Sequence, residues 1–418
     1  MRVAMHTFGT RGDVQPYVAL AQELSRHGHS VQLAAPIQFE SLVRERGICF
    51  SPLPGEILAL LDTPEGKAAI AGGHGFSAGL ALLRHVRPLM WHLLDEEWRA
   101  AQSFLPDAIV HHPKSIAAPH MAEALGCPCI LASPLPGFTP TSDFPSPMLP
   151  FRDLGPLNRI SHVAAIRGAD FLFGKMIGLW RKESLGLARS RTRAGATRTG
   201  TIYAYSPKVV PVPSDWGDDV LVSGYWFLDD EGWQLSDALK TFLGDGEPPV
   251  YVGFGSMPGI DRDRMTATVI EALARTGKRG LLASGGGALS SVGSFPHVHF
   301  VRDVPHGRLL PEVHSMIHHG GAGTTAAGLR AGKPMTVCPF FGDQPFWGRR
   351  VADLGVGPRP LDRRNLSVEG LSAVIVAMDD PHMRRRAAAL GTGIREEDGI
   401  GAATRFIENI AGGSPKRS

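Results

Sequence analysis

His318 to Trp347 reads HHGGAGTTAAGLRAGKPMTVCPFFGDQPFW. Met316 to His318 is short and partly apolar, Gly320, Gly321 and Gly323 permit a tight turn, and Thr324 to Ala331 is rich in helix formers until Gly332 and Pro334 stop it. The spacing predicts strand, glycine loop, helix, strand. A glycine loop that opens a helix aims free backbone N–H groups and the positive end of the helix dipole at one point, which suits a diphosphate. The next strand, Met335 to Pro339, carries Gly342, Asp343 and Gln344 to the same edge of a parallel sheet, where α/β proteins bind ligands. A phosphate cradle followed one βα step later by a carboxylate and an amide is the pattern of a nucleotide-sugar site.

The same alternation runs through the rest of the chain. Val3 to Thr7, Val31 to Ala35, Ala108 to His111 and Cys129 to Ala132 read as strands, with Val14, Val18, Ala21 and Leu24 at helical spacing until Gly28. Val250 to Phe254, Gly280 to Ala283, Val298 to Val301, Met316 to His318 and Met335 to Cys338 repeat the scheme. The expected fold is α/β, with two Rossmann-like, doubly wound parallel-sheet domains facing a cleft. We place the domains at 1–208 and 228–400, joined by a linker at 209–227 that proline and aspartate interrupt. Residues 401–418 form a C-terminal helix that can pack back on the first domain, then a mobile tail.

Composition narrows the class. The 418 residues, 43% hydrophobic and 20% charged, suit a globular protein, and a net charge of +3 is too small to imply a nucleic-acid partner. A basic stretch, Arg181, Lys182, Arg189, Arg191, Arg193 and Arg198, reads as a solvated surface, with a weak peripheral membrane contact as its sharper reading. Cys49, Cys127, Cys129 and Cys338 lack metal-ligand spacing and read as reduced core residues. With no export signal at MRVAMHTFGT, the expectation is a cytoplasmic protein. Asp261 and Asp263 spell an acid-x-acid pattern, but they follow a glycine turn and open a helix, so no metal is expected.

Three further segments, GTRGDVQP at 9–16, GFTPTSDFPSPMLP at 137–150 and SGYWF at 223–227, together with HHGGAGTT and PFFGDQPFWG, carry a family resemblance across most of the chain. The sequence resembles the family 1 glycosyltransferases, most of all the sterol glucosyltransferases and their bacterial relatives, and also the glycopeptide and macrolide antibiotic glycosyltransferases. The resemblance implies the architecture called GT-B, with the acceptor on the first domain and the donor on the second. It implies inverting transfer of a hexose, from UDP-glucose, to a hydroxyl of a hydrophobic small-molecule acceptor such as a sterol, another lipid or a polyketide. The donor is a co-substrate and no cofactor is expected.

Asp13 then occupies the position of the catalytic base, although an aspartate there also reads as a helix N-cap worth about 1 kcal/mol. His112, at the end of the Ala108 strand, is the candidate assistant. On the donor side the resemblance assigns the diphosphate to His319, to the backbone of Gly321, Ala322, Gly323 and Thr324, to the hydroxyl of Thr324 or Thr325, and to Ser256. Asp343 and Gln344 take the sugar hydroxyls, and the backbone near Val304 takes the base, since Asp303 stands where plant and animal relatives stack a tryptophan. Apolar residues 76–94 and 166–180, with Pro147 to Phe151, are candidates to line the acceptor site. Competing readings are a TDP-deoxysugar-dependent natural-product glycosyltransferase and, from other classes, a nucleotide-sugar epimerase or a donor-binding protein without activity.

Overall fold

A computed structural model describes residues 1–56, 75–188, 199–230, 232–255, 261–285, 288–290, 293–302 and 304–412. Seven parallel strands form the first sheet: β1 (Arg2–His6), β2 (Ser30–Pro36), β3 (Cys49–Leu53), β4 (Ala108–His111), β5 (Cys129–Ser133), β6 (Gly200–Tyr203) and β7 (Val220–Val222). Their order is β3-β2-β1-β4-β5-β6-β7. The second sheet holds β8 (Val250–Gly253), β9 (Gly280–Ala283), β10 (Val298–Val301), β11 (Ser315–His318) and β12 (Met335–Val337), in the order β10-β9-β8-β11-β12. Helices cover both sheets, so the central strands read as unbroken apolar runs, as in buried β1 (Val3, Ala4, Met5) and β4 (Ala108, Ile109, Val110). The two-domain GT-B fold is present.

Three strands, β3, β6 and β7, were not expected. β7 lies inside 209–227, so that stretch carries the first sheet's edge strand as well as the crossing to the second domain. The helix Gly399–Gly412 returns to the first domain, where Ala403 and Ile407 pack with Val3, Val14, Val18 and Trp226. Gly200 on β6 is the price of that return, because a Cβ there would lie 2.5 Å from Ile410 and 3.0 Å from Phe406. The tail, residues 413–418, falls outside the described residues.

Two cysteine expectations need correction. Cys129 and Cys338 are buried, but Cys49, at the start of the edge strand β3 where only β2 covers it, is exposed, and Cys127 is half-buried in the turn before β5. The basic stretch also divides. Arg181 is buried, donating to Glu123 at 2.8 and 2.9 Å, because Trp180 beside it anchors the helix to the core, while Arg189, Arg191, Arg193 and Arg198 lie outside the described residues. Among the described residues no helix is long and apolar enough to cross a membrane.

Candidate active site in the interdomain cleft

β1 delivers its chain to the cleft through Gly9, whose φ of +142° only glycine adopts without strain. A Cβ at Gly9 would stand 2.1 Å from Asp13 Oδ2, so glycine also makes room for that carboxylate. The helix Arg11–Arg26 begins two residues earlier than Asp13, which corrects the expectation that Asp13 is the N-cap. Thr10 is the cap, and Asp13 closes a capping box as the third helical residue. The Thr10 amide donates to Asp13 Oδ2 at 2.7 Å and the Thr10 hydroxyl at 3.2 Å.

Parallel pairing of β1 with β4 sets His6 opposite His111, and the next residue, His112, donates its amide to the His6 carbonyl at 2.8 Å. That register brings the His112 ring to Asp13, with Nε2 3.3 Å from Oδ1. His112 Nδ1 accepts the Lys114 amide at 3.2 Å. A neutral imidazole has one donor and one acceptor nitrogen, so the proton sits on Nε2 and points at the carboxylate. Burial pushes His112 down to about 4, against the pull of Asp13, which keeps the ring neutral near pH 7.

Lys114 was missed in the sequence, where it stands out only by following His112 by two residues. Its Nζ lies 2.8 Å from Asp13 Oδ2. Burial raises the affinity of Asp13 for a proton, but Lys114, with the Thr10 amide and His112, outweighs it and holds the carboxyl below its ordinary range. Behind them Glu97, fully buried on the helix Gly75–Phe104, accepts the Ser115 hydroxyl and lies 3.6 Å from His6. Ser115 N–H donates to His112 O at 2.9 Å, so Glu97 braces the turn that carries both His112 and Lys114.

The opposite wall is made of backbone. Gly321 precedes the helix Ala322–Arg330 without a capping side chain, and the first helical bond runs from Thr325 N to Gly321 O at 2.9 Å. The amides of Gly321, Ala322, Gly323 and Thr324 therefore have no partner within the helix. Thr325 is buried and returns its hydroxyl to Gly321 O at 3.0 Å, which leaves Thr324 as the hydroxyl facing the cleft. His319 packs so closely on this loop that a Cβ at Gly321 would lie 2.6 Å from its Nε2, and its ring is buried beside the Gly253 carbonyl. Burial pushes both His319 and His306 down to about 4, so neither brings charge at neutral pH.

One cleft of about 960 Å³ joins these walls, lined by Asp13 and His112 on one side and by Val304, His319, Ala322, Gly323 and Thr324 on the other. Ser256 and Asp303 lie outside the described residues. Asp343 and Gln344 stand at the margin of this cleft, their side chains engaged within the second domain. Gln344 is buried and its Oε1 accepts the amides of Phe340 and Phe341 at 2.7 and 3.2 Å, shaping the loop that was expected to present it to a sugar. Asp343 accepts the Trp347 indole N–H at 2.8 Å. Burial, with Asp13 adding to it, raises its affinity for a proton, so Asp343 feels the first domain's carboxylate across the gap.

Comparison with known proteins agrees with this two-sided arrangement. The glycosyltransferase family 28 N-terminal domain matches residues 3–141, and the erythromycin biosynthesis protein CIII-like C-terminal domain matches residues 268–397. The chain is 36% identical to the sterol 3-beta-glucosyltransferase UGT80B1 of Arabidopsis thaliana over 413 residues, covering 96% of this chain and 67% of that protein. It is 35% identical to the sterol 3-beta-glucosyltransferase of Neosartorya fischeri over 429 residues, but spans only 29% of that longer protein. Among solved structures it is similar to the glycotransferase of kitacinnamycin, with a TM-score of 0.74, 19% identity and coverage of 98% of this chain and 99% of that one. The glycosyltransferase VinC in complex with DTDP gives a TM-score of 0.73 at 20% identity, over 99% of this chain and 100% of that one.

Proposed function

The chain belongs to the glycosyltransferase family that contains the sterol 3-beta-glucosyltransferases, and we propose that it transfers glucose from UDP-glucose to the hydroxyl of a hydrophobic acceptor, a sterol or other lipid. The observation that carries this reading is the single cleft in which a charged carboxylate, Asp13, faces the bare amides of the Gly321–Thr324 loop.

In the reaction we propose, the acceptor hydroxyl approaches Asp13, replacing Lys114 as the partner of Oδ2. Its oxygen forms the new bond to the anomeric carbon while the bond from that carbon to the diphosphate oxygen breaks on the opposite face. The hydroxyl proton passes to Asp13, late in the step because a carboxylate held below its usual range is a weak base. His112, neutral and donating from Nε2, fixes the carboxylate's orientation. The leaving diphosphate gathers charge at the helix N-terminus beside His319, where unpaired amides stabilise it without reorganising. One displacement inverts the configuration, so an α-linked donor gives a β-linked product. On this reading no step calls for a metal.

Incubation of the protein with UDP-glucose and a sterol, with and without a chelator, tests it. TDP-sugars serve as competing donors, and macrolide and flavonoid acceptors as competing acceptors. The expected outcome is a β-glucoside, identified by NMR of the linkage, formed equally with chelator present. Retention of configuration, loss of activity on chelation, or turnover with TDP-deoxysugars alone would each overturn a stated part of the reading.

A further inference from the structure

The helix Asn158–Ser184 is held to the first domain by its inner face. Trp180 is fully buried and donates Nε1 to Asp95 at 2.8 Å, Arg181 pairs with Glu123, and Asn158, Ser161 and His162 are buried at the other end. A surface helix so anchored normally turns a polar face to water. This one does not. Leu157, just ahead of it, Ile160, Phe171, Leu172 and Leu179 are all exposed, Phe171 to 87% and Leu172 to 60%. With Ala164 and Gly168 they recur at three- and four-residue intervals and so share one outward stripe. Met148 and Phe151, on the loop leading into the helix, are exposed as well.

The charges on this stripe are mostly positive. Arg167, Lys175 and Lys182 are exposed on the same face and have no ion-pair partner among the described residues. Of the helix's acids, Asp170 lies about 100° round the axis from Phe171, on the side away from Leu172, while Glu183 borders the stripe one turn beyond Leu179, which leaves three cations to one acid on this face. Apolar side chains standing proud of the surface, interleaved with long cations whose stems can lie along hydrocarbon while their heads stay wet, make an interfacial surface.

We propose that the outward face of the helix Asn158–Ser184 docks on the surface of an anionic lipid bilayer. Phe171 and Leu172 enter the boundary between headgroups and acyl chains, and Arg167, Lys175 and Lys182 meet the lipid phosphates and carboxylates. A second copy of the chain is the weaker fit, because a two-fold contact through this stripe sets cations against the same cations. The docking complements the lipid-acceptor reading above, but its test needs neither donor nor acceptor, so the two can fail separately.

The experiment is flotation of the full chain with phosphatidylcholine vesicles, with and without phosphatidylserine, at low and high salt. The protein should float with the anionic vesicles, stay behind with the neutral ones, and be released by salt. Phe171→Glu combined with Leu172→Glu should abolish binding. Lys175→Glu and Lys182→Glu should each weaken it by at least about five-fold. These side chains are solvent-exposed, and the wild-type result decides the question even if a variant is lost. Failure of the wild type to float with anionic vesicles overturns the proposal, as does undiminished binding by the Phe171→Glu, Leu172→Glu variant. If the wild type sediments as a dimer that this variant dissociates, and does not float, the face belongs to a second copy.

Discussion

After β1 and after β11 the chain makes the same excursion. A strand ends at the cleft, glycines turn the backbone, and a helix leaves, closed at its far end by a left-handed glycine, Gly28 (φ +82°) in one domain and Gly332 (φ +67°) in the other. Even the closing bonds match: His29 N to Leu24 O at 3.1 Å and Gly28 N to Ser25 O at 3.0 Å in the first, Lys333 N to Gly328 O at 3.2 Å and Gly332 N to Leu329 O at 3.0 Å in the second. What differs is the filling. The first helix start is occupied by its own acid, Asp13, which satisfies the Thr10 amide and draws in Lys114 and His112. The second is left open, with glycines, an alanine and a neutral histidine around unpaired amides. On the proposed mechanism one backbone device thus serves as a base when it carries a carboxylate, and as an anion hole when it carries nothing.

That contrast can be broken one side at a time. Asp13→Asn should have the largest effect, lowering turnover by about 10² to 10⁴, the span general-base catalysis covers, while calorimetric affinity for the nucleoside diphosphate stays the same. Near-normal kcat in the folded variant would reduce Asp13 to a capping residue. His319→Ala should act on the other side alone, weakening nucleoside diphosphate binding by roughly 1.5–3 kcal/mol, about ten- to a hundred-fold in Kd, as expected for a hydrogen bond to a charged phosphate. An unchanged Kd would remove His319 from the donor site.

Lys114→Met sharpens the electrostatic part. On the proposed mechanism activity requires Asp13 ionised and should fall as pH drops through its pKa, which Lys114 helps to hold below the ordinary carboxylate range. Removing the ammonium should move the acid limb of the kcat/KM profile to higher pH, the direction burial alone would drive it. A limb that stays in place would show that Lys114 does not set this charge. Glu97→Gln should have the smallest effect, a reduction of a few-fold in kcat with KM for the donor unaffected, since it keeps the shape of the brace under Ser115 while changing its charge. If Glu97→Gln and Glu97→Ala alter only the melting temperature, the brace is structural.

The two sides were unequally legible. The glycine loop is contiguous: His319 to Thr324 lie within one βα turn, so glycine placement and helix-forming residues suffice to read it. Asp13, His112, Lys114 and Glu97 come from three separated segments, and only the β1–β4 register, with His6 beside His111, brings them together. Spacing along the chain does not encode that register. Asp13 was found by its motif and His112 by its strand end, whereas Lys114 and Glu97 needed the fold. Gln344 was read from its adjacency to Asp343, and only the fold shows that its Oε1 also accepts the Phe340 and Phe341 amides. β6 was missed because it opens on Gly200 behind a polar, basic stretch, and β7 because it sits between a Pro- and Asp-rich stretch and Gly224.

The return of the helix Gly399–Gly412 to the first domain also fixes a sequence of events in time. Ala403 and Ile407 complete the apolar cluster around Val3, Val14 and Val18, yet a ribosome makes them only after every strand of both sheets has emerged. Until then Gly200 and the outer side of β6 wait uncovered, and the first domain, although synthesised first, is the last to be sealed. A chain arrested before Gly399 should therefore show protease cleavage in the first domain while the second sheet resists, so that closure of the first domain reports on synthesis of the helix Gly399–Gly412.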